Sequence, residues 1–151
     1  MPPTKKHRVL FVCIGNACRS PMAEAITRHH ASELIEPSSA GFSPLGHLTQ
    51  LTQQTLLANG YSIGRLSSKP LTRQALVNAD LVVNISGESF DRYLNSAAAA
   101  GLQPGPEVEN WNVEDPYGQD PAIYQRILEE LESRVLLLAG RLRAGKHTVN
   151  P

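Results

Sequence analysis

Val12-Cys13-Ile14-Gly15-Asn16-Ala17-Cys18-Arg19-Ser20-Pro21 overlaps the end of a short apolar run, Val9-Leu10-Phe11-Val12. Such a run suits a strand covered on both faces, here from His7 to Ile14. Ser20 and Pro21 read as an N-cap followed by a proline at the first helical position. They open a helix through Met22, Ala23, Glu24, Ala25 and Ile26 towards His30. The stretch is therefore a tight loop between a strand end and a helix start. In such a loop successive backbone N–H groups converge on an anion, and the helix dipole adds to the field. Gly15 permits a backbone conformation that a side chain would resist. Arg19 supplies a planar fork of donors matching two oxygens of a tetrahedral oxyanion. Cys13 sits where the same donors would stabilise a thiolate. An anion cradle with a thiolate at its floor is set up to attack phosphorus.

The elements on either side alternate. Ile35 to Ala40 reads as a second strand, and Pro37 within it predicts an edge position. A helix from about Thr49 to Asn59 ends at Gly60, a left-handed stop. A short helix from Thr72 to Asn78 leads into a buried strand, Leu81 to Ile85. Ser86 reads as the cap of a helix through Phe90, Tyr93 and Leu94 to Gly101, with Ala97 to Ala100 as its end. Glu107 to Val113 is a weaker strand. Asp120 and Pro121 then start a helix whose apolar stripe is Ile123, Ile127, Leu131, Val135, Leu138 and Leu142. Strands alternating with helices predict an α/β single domain over residues 1–151. Its core is a four-stranded parallel sheet with helices on both faces, and the phosphate-binding loop follows strand 1. Ligands bind such sheets at the carboxyl ends of the strands.

Composition narrows the class further. The 151 residues carry 14 Lys and Arg against 14 Asp and Glu. The first half, to residue 75, has an excess of five positive charges and the second half an equal negative excess. Neither half contains the dense Lys/Arg run of a nucleic-acid or membrane-surface binder, so no nucleic-acid and no membrane partner is expected. No stretch approaches the length of a membrane-spanning helix. The basic N-terminus is followed by too short an apolar run for a secretion signal, and a cytoplasmic protein is expected. The two cysteines, Cys13 and Cys18, lack the partners of a zinc site. His7, His29, His30, His47 and His147 show no ligand spacing, so neither metal nor cofactor is expected. On one tight loop, Cys18 is a candidate resolving thiol for an oxidised Cys13, provided the two Cα atoms come close enough.

Residues 12–24, Val-Cys-Ile-Gly-Asn-Ala-Cys-Arg-Ser-Pro-Met-Ala-Glu, closely resemble the signature of the low-molecular-weight protein tyrosine phosphatases and of the arsenate reductases that share their fold. Ser38-Ser39-Ala40-Gly41, Ala79-Asp80-Leu81-Val82-Val83 and Glu114-Asp115-Pro116-Tyr117-Gly118 resemble later segments of the same family. The resemblance implies that Cys13 is the nucleophile and forms a phosphocysteine. Arg19 and the N–H groups of Ile14, Gly15, Asn16, Ala17, Cys18, Arg19 and Ser20 would hold the phosphoryl oxygens. Ser20 would hydrogen-bond the thiolate, and Asn16, steadied by Ser39, would keep the loop's strained shape. Asp115 would protonate the leaving group and then deprotonate the attacking water. Tyr117 would wall the substrate groove. The substrate implied is a phosphotyrosine protein or a small aryl phosphate, with phosphate-like oxyanions as inhibitors.

The match has departures. Tyr117 is followed by Gly118, where many phosphatases of the family have a second aromatic. The Gly41 to Gly46 segment is short, and Leu66 stands where the family often has His. The short Ser-Ala-Gly-type loop, the Ser67-Ser68-Lys69 stretch and Trp111 shortly before Asp115-Pro116 lean towards the reductase branch. A thioredoxin-coupled relay, however, needs two further cysteines, and none lies beyond Cys18. A phosphatase, a reductase using an external small thiol or an unusual Cys13–Cys18 relay, and a non-catalytic oxyanion-binding module are the three readings the sequence leaves, with the phosphatase favoured.

Overall fold

The computed structural model describes residues 5–91 and 106–145. Its elements run β1 (His7–Cys13), α1 (Arg19–Ala31), β2 (Ile35–Gly41), α2 (Gln50–Ala58), α3 (Arg73–Asn78), β3 (Leu81–Asn84), β4 (Glu107–Asn110) and α4 (Pro121–Arg143). The four strands form one sheet in the order β2-β1-β3-β4, and every pairing is parallel. β2 is an edge strand, as Pro37 predicted. From β1 the chain passes first to β2 on one side and then to β3 on the other. The direction of winding reverses at β1, which opens a crevice beyond its carboxyl end.

Alternation along β1 explains why its apolar run is continuous. Val9 and Phe11 join Met22 and Ile26 of α1 and Ile127, Leu131 and Val135 of α4 in one core. Leu10 and Val12 join Val82, Leu71, Leu76 of α3 and Phe90 in a second core on the other face. The sheet is thus covered on both sides, and the last turn of β1 is buried as it delivers Cys13.

Helix starts follow the expected chemistry at three places. Thr49, Thr72 and Asp120 cap α2, α3 and α4, accepting from Thr52 N, Ala75 N and Ile123 N. The start of α1 differs from expectation. It begins at Arg19, Cys18 occupies the cap position without a side-chain capping bond to the helix, and Ser20 is inside the first turn. The Ser20 hydroxyl is committed to Cys13 and Asn16 instead. Ser86 also fails to cap. Its hydroxyl donates to Asn84 Oδ1 and accepts from Glu88 N, which makes a turn, and helical backbone starts only at Phe90. The remainder of that expected helix, with Ala97 to Ala100, lies outside the described residues. Among the described residues no helix is long and apolar enough to cross a membrane.

Asp120 caps α4 with its side chain, and α4 supplies a large share of the larger core. Asp120→Ala should cost about 1 kcal/mol of stability, measured as a shift in the urea midpoint at unchanged slope. An unchanged midpoint would show that Pro121 and packing alone set the start of α4.

Candidate active site

The loop from β1 to α1 is fastened from outside through its carbonyl oxygens. Phe42 N donates to Cys13 O at 3.2 Å, Ser43 N to Ile14 O at 2.8 Å and Leu45 N to Gly15 O at 2.9 Å. Ser68 Oγ adds a second bond to Gly15 O at 3.0 Å. Ala17 O accepts from Thr49 N at 3.3 Å and from Thr52 Oγ1 at 2.8 Å. With the carbonyls taken by the surrounding segments, the amides are left over. None of the N–H groups from Ile14 to Ser20 has an acceptor among the described residues. A run of unsatisfied donors at a helix N-terminus is an anion site.

Asn16 pins the turn. Its φ of 47° is the one positive value outside glycine among the described residues, a conformation that costs about 1 kcal/mol. Two bonds hold it there. Nδ2 donates to Ser20 Oγ at 2.8 Å, and Oδ1 accepts from Lys69 N at 2.9 Å. Ser39 is not part of this support. Its hydroxyl donates to the buried Glu24 Oε1 at 2.5 Å, because Glu24 faces β2 from α1 and needs partners there. Arg28 supplies the other, at 2.8 Å from Oε2. Ser39 therefore fixes α1 against β2.

Cys13 is buried, and its Sγ lies 2.9 Å from Ser20 Oγ. Asn16 already donates to that oxygen, so the Ser20 proton is free to face sulfur, an arrangement suited to a thiolate. Arg19 is equally buried. Its Nη1 donates to Ile85 O at 2.7 Å and Val113 O at 3.1 Å, which locks one side of the guanidinium to the ends of two neighbouring segments. Its Nε has no partner although buried, and Nη2 lies 3.4 Å from Asp115 Oδ2. The edge formed by Nε and Nη2 is thus the one left to grip an oxyanion.

Asp115 is half-exposed, and its Oδ1 accepts from Tyr117 N at 3.1 Å. A cavity of about 260 Å³ unites the parts. Cys13, Ile14, Gly15, Ala17, Cys18 and Arg19 line it from the loop, with Ser43 and Leu45 on one side and Asp115 and Tyr117 on the other. Cys13 and Arg19 of the loop meet Asp115, from a distant stretch of chain, at this cavity, with Asn16 and Ser20 fully buried. Cys18 also reaches the cavity, but its Sγ is held 3.5 Å from Tyr124 Oη and 3.6 Å from Thr49 Oγ1. Burial pushes the Tyr124 hydroxyl up to about 12, so it stays protonated and able to donate. Both thiols are free.

The sequence places Gly41 at the ligand-binding end of the sheet without showing its task, and it gives no site role to Ser68, the Lys69 amide, Thr52 or Tyr124. Their contacts span up to 106 residues of chain, and no local spacing carries such a signal. Gly41 is the sharpest case. A Cβ there would lie 2.7 Å from Ile14 O and 2.9 Å from Asn16 N, so the absence of a side chain lets β2 close onto the loop.

A thiol beneath an amide crown, with an arginine and a carboxylic acid across one cavity, is an arrangement chemically suited to an oxyanion. Residues 8–148 match the family described as low molecular weight phosphotyrosine protein phosphatase, and the chain belongs to that family. It is 33% identical over 147 residues to a protein-arginine-phosphatase of Bacillus subtilis, covering 89% of this chain and 96% of the relative. It is 28% identical over 130 residues to arsenate reductase 1 of Bacillus cereus, covering 86% and 92%. Among solved structures, an arginine phosphatase from Geobacillus stearothermophilus superposes with a TM-score of 0.78 at 25% identity, covering 92% of this chain and 94% of the other.

Gly41→Ala should push Ile14 and Asn16 out of place, at a cost of about 1–3 kcal/mol, and weaken phosphate binding to the loop. Thermal melting and the inhibition constant of inorganic phosphate read the two effects. If both stayed at wild-type values, the loop would not depend on the close approach of β2.

Proposed function

We propose that the protein is a cysteine-dependent phosphatase that hydrolyses aryl phosphate monoesters, phosphotyrosine among them, through a phosphocysteine. The observation that carries the reading is the convergence of Cys13, Arg19 and Asp115 on one cavity, with Ser20 in contact with sulfur. In the first step the Cys13 thiolate attacks phosphorus and the ester P–O bond breaks. Asp115, entering as the acid, gives its proton to the departing oxygen. The loop amides and the free edge of Arg19 hold the three equatorial oxygens where negative charge is spread. In the second step Asp115 takes a proton from water as the water attacks phosphorus. The P–S bond breaks, and the Ser20 hydroxyl stabilises the thiolate that leaves. Inorganic phosphate and the resting enzyme result.

The mouth of the cavity favours a flat, apolar leaving group. Ile14, Leu45 and Tyr117 are large side chains left at least one-third exposed there. Gly118, with φ of 80°, supplies the turn but no second aromatic wall, so the groove is open on that side. A second reading, protein phosphoarginine as substrate, is favoured by the similarity to a protein-arginine-phosphatase. The same machinery would then break a P–N bond, with Asp115 protonating the guanidine nitrogen. Arsenate reduction would require an external thiol, because the chain holds only Cys13 and Cys18. In this reading the enzyme works in the cytoplasm, where its thiols stay reduced. Mild oxidation would join Cys13 to Cys18 only after Cys18 leaves Tyr124 and Thr49.

Three substrates offered to one purified sample test the choice: a phosphotyrosine peptide, a phosphoarginine peptide, and arsenate with several thiols. Metal-independent release of phosphate from the first is expected to dominate. Dominant hydrolysis of the second would replace the aryl specificity, and thiol-dependent arsenate reduction alone would overturn the phosphatase reading. Cys13→Ser should abolish turnover while phosphate still binds. Asp115→Asn should slow hydrolysis by roughly 10²–10⁴-fold for poor leaving groups, and by much less when the leaving group is already a weak base. A small, uniform loss would return Asp115 to a turn-forming role.

A further inference from the structure

The segment carrying Asp115 is fastened to α4 by contacts on its outer side, away from the cavity. Arg126 of α4 donates from Nη2 to Glu114 Oε1 at 2.6 Å. Glu114 Oε2 accepts from Gln119 Nε2 at 2.9 Å, and the same amide nitrogen donates to the backbone carbonyl of Asp115 at 3.0 Å. The Gln119 main-chain N–H closes the turn on Pro116 O at 2.9 Å, with Gly118 at positive φ inside it. One nitrogen thus ties the Glu114 carboxylate to the Asp115 peptide, and Arg126 sets where that carboxylate stands. On the inner side, Asp115 lies 3.4 Å from Arg19 and accepts from the Tyr117 amide at 3.1 Å.

Taking the phosphatase reading as given, we propose that Arg126, acting through Glu114 and Gln119, is a positioning residue for the general acid. It aims Asp115 at the leaving-group oxygen from outside the cavity. Arg126 does not line the cavity, and its hydrogen bond and ion pair among the described residues are to Glu114, so its influence reaches the site through the segment that carries the acid. The Arg126 hydrogen bond, and then that of Gln119, hold the Glu114 carboxyl below the usual carboxylate range. The clamp is therefore charged throughout the neutral range. It is also half-exposed on both partners, so its strength is open to screening by salt. This placement carries a signature that a merely structural contact lacks. Proton donation matters for poor leaving groups and hardly at all for good ones. Loss of the clamp must consequently divide the two.

The experiment compares kcat/KM for phenyl phosphate and p-nitrophenyl phosphate in the wild type, Arg126→Ala, Arg126→Lys and Asp115→Asn. Because kcat/KM covers the steps up to the phosphoenzyme, it isolates the step in which Asp115 acts as acid. Arg126→Ala should lose about five-fold or more on phenyl phosphate and stay within about two-fold on p-nitrophenyl phosphate. Inhibition by inorganic phosphate should be unchanged. Arg126→Lys should recover part of the loss, and added salt should lower the phenyl to p-nitrophenyl ratio of the wild type but not of Arg126→Ala. Equal rates for Arg126→Ala and the wild type, or equal losses on both esters, would overturn the clamp while leaving the phosphatase intact. A wild type whose hydrolysis is indifferent to Asp115→Asn would overturn the general-acid assignment, and the clamp with it.

Discussion

Everything in the site depends on which way the peptide groups of residues 13–17 are turned. The carbonyls of Cys13, Ile14, Gly15 and Ala17 are bound outward by Phe42, Ser43, Leu45, Thr49, Thr52 and Ser68, and a peptide group whose oxygen is fixed on one side presents its N–H on the other. The amide crown is therefore built by the segments around the loop as much as by the loop's own sequence. That is why β2, the α2 start and the 68–69 stretch converge there. Gly41 allows the approach, and Asn16 accepts a left-handed conformation because Lys69 and Ser20 satisfy both ends of its side-chain amide.

Such a crown carries positive partial charge with no counter-charge of its own, and the cavity adds a buried guanidinium whose Nε is unpaired. Burial makes each of these donors stronger than it would be in water, and makes an empty site costly. An oxyanion relieves both. The Asp115 carboxylate, 3.4 Å from Arg19, is the nearest substitute the protein itself provides, and a bound phosphoryl group would compete for the same guanidinium edge. In the proposed mechanism, binding of substrate and release of the acid for its proton transfer would be linked through one arginine.

Much of this was legible in the sequence because the deciding signals are local. The Val9 to Val12 run, the apolar stripe of α4, the Asp120-Pro121 start and the Cys13 to Ser20 spacing each sit within a few turns of chain, and each reads directly as an element or a donor set. What the sequence hid is non-local or dual-purpose. Ser20 looks like a cap because Ser before Pro usually is one, yet the loop folds back so that its hydroxyl meets Cys13. Ser39 was assigned to Asn16 by resemblance, whereas the buried carboxylate of Glu24 takes its hydroxyl. Arg19 was read as an anion fork, and its second task, tethering Ile85 and Val113, depends on strands that are far away until the sheet forms. The same applies to Arg126, an unremarkable helix cation until Glu114 is brought beside it.

The central claim is that Cys13 takes the phosphoryl group from substrate before water does. Rapid quenching during turnover of an aryl ester labelled in its phosphoryl group, followed by peptide mapping, addresses this most directly. Label is expected on the peptide containing Cys13, formed as the phenol is released, decaying as inorganic phosphate appears, and absent in Cys13→Ser. Phenol and phosphate released together with no protein-bound label, or label on a different side chain, would contradict it.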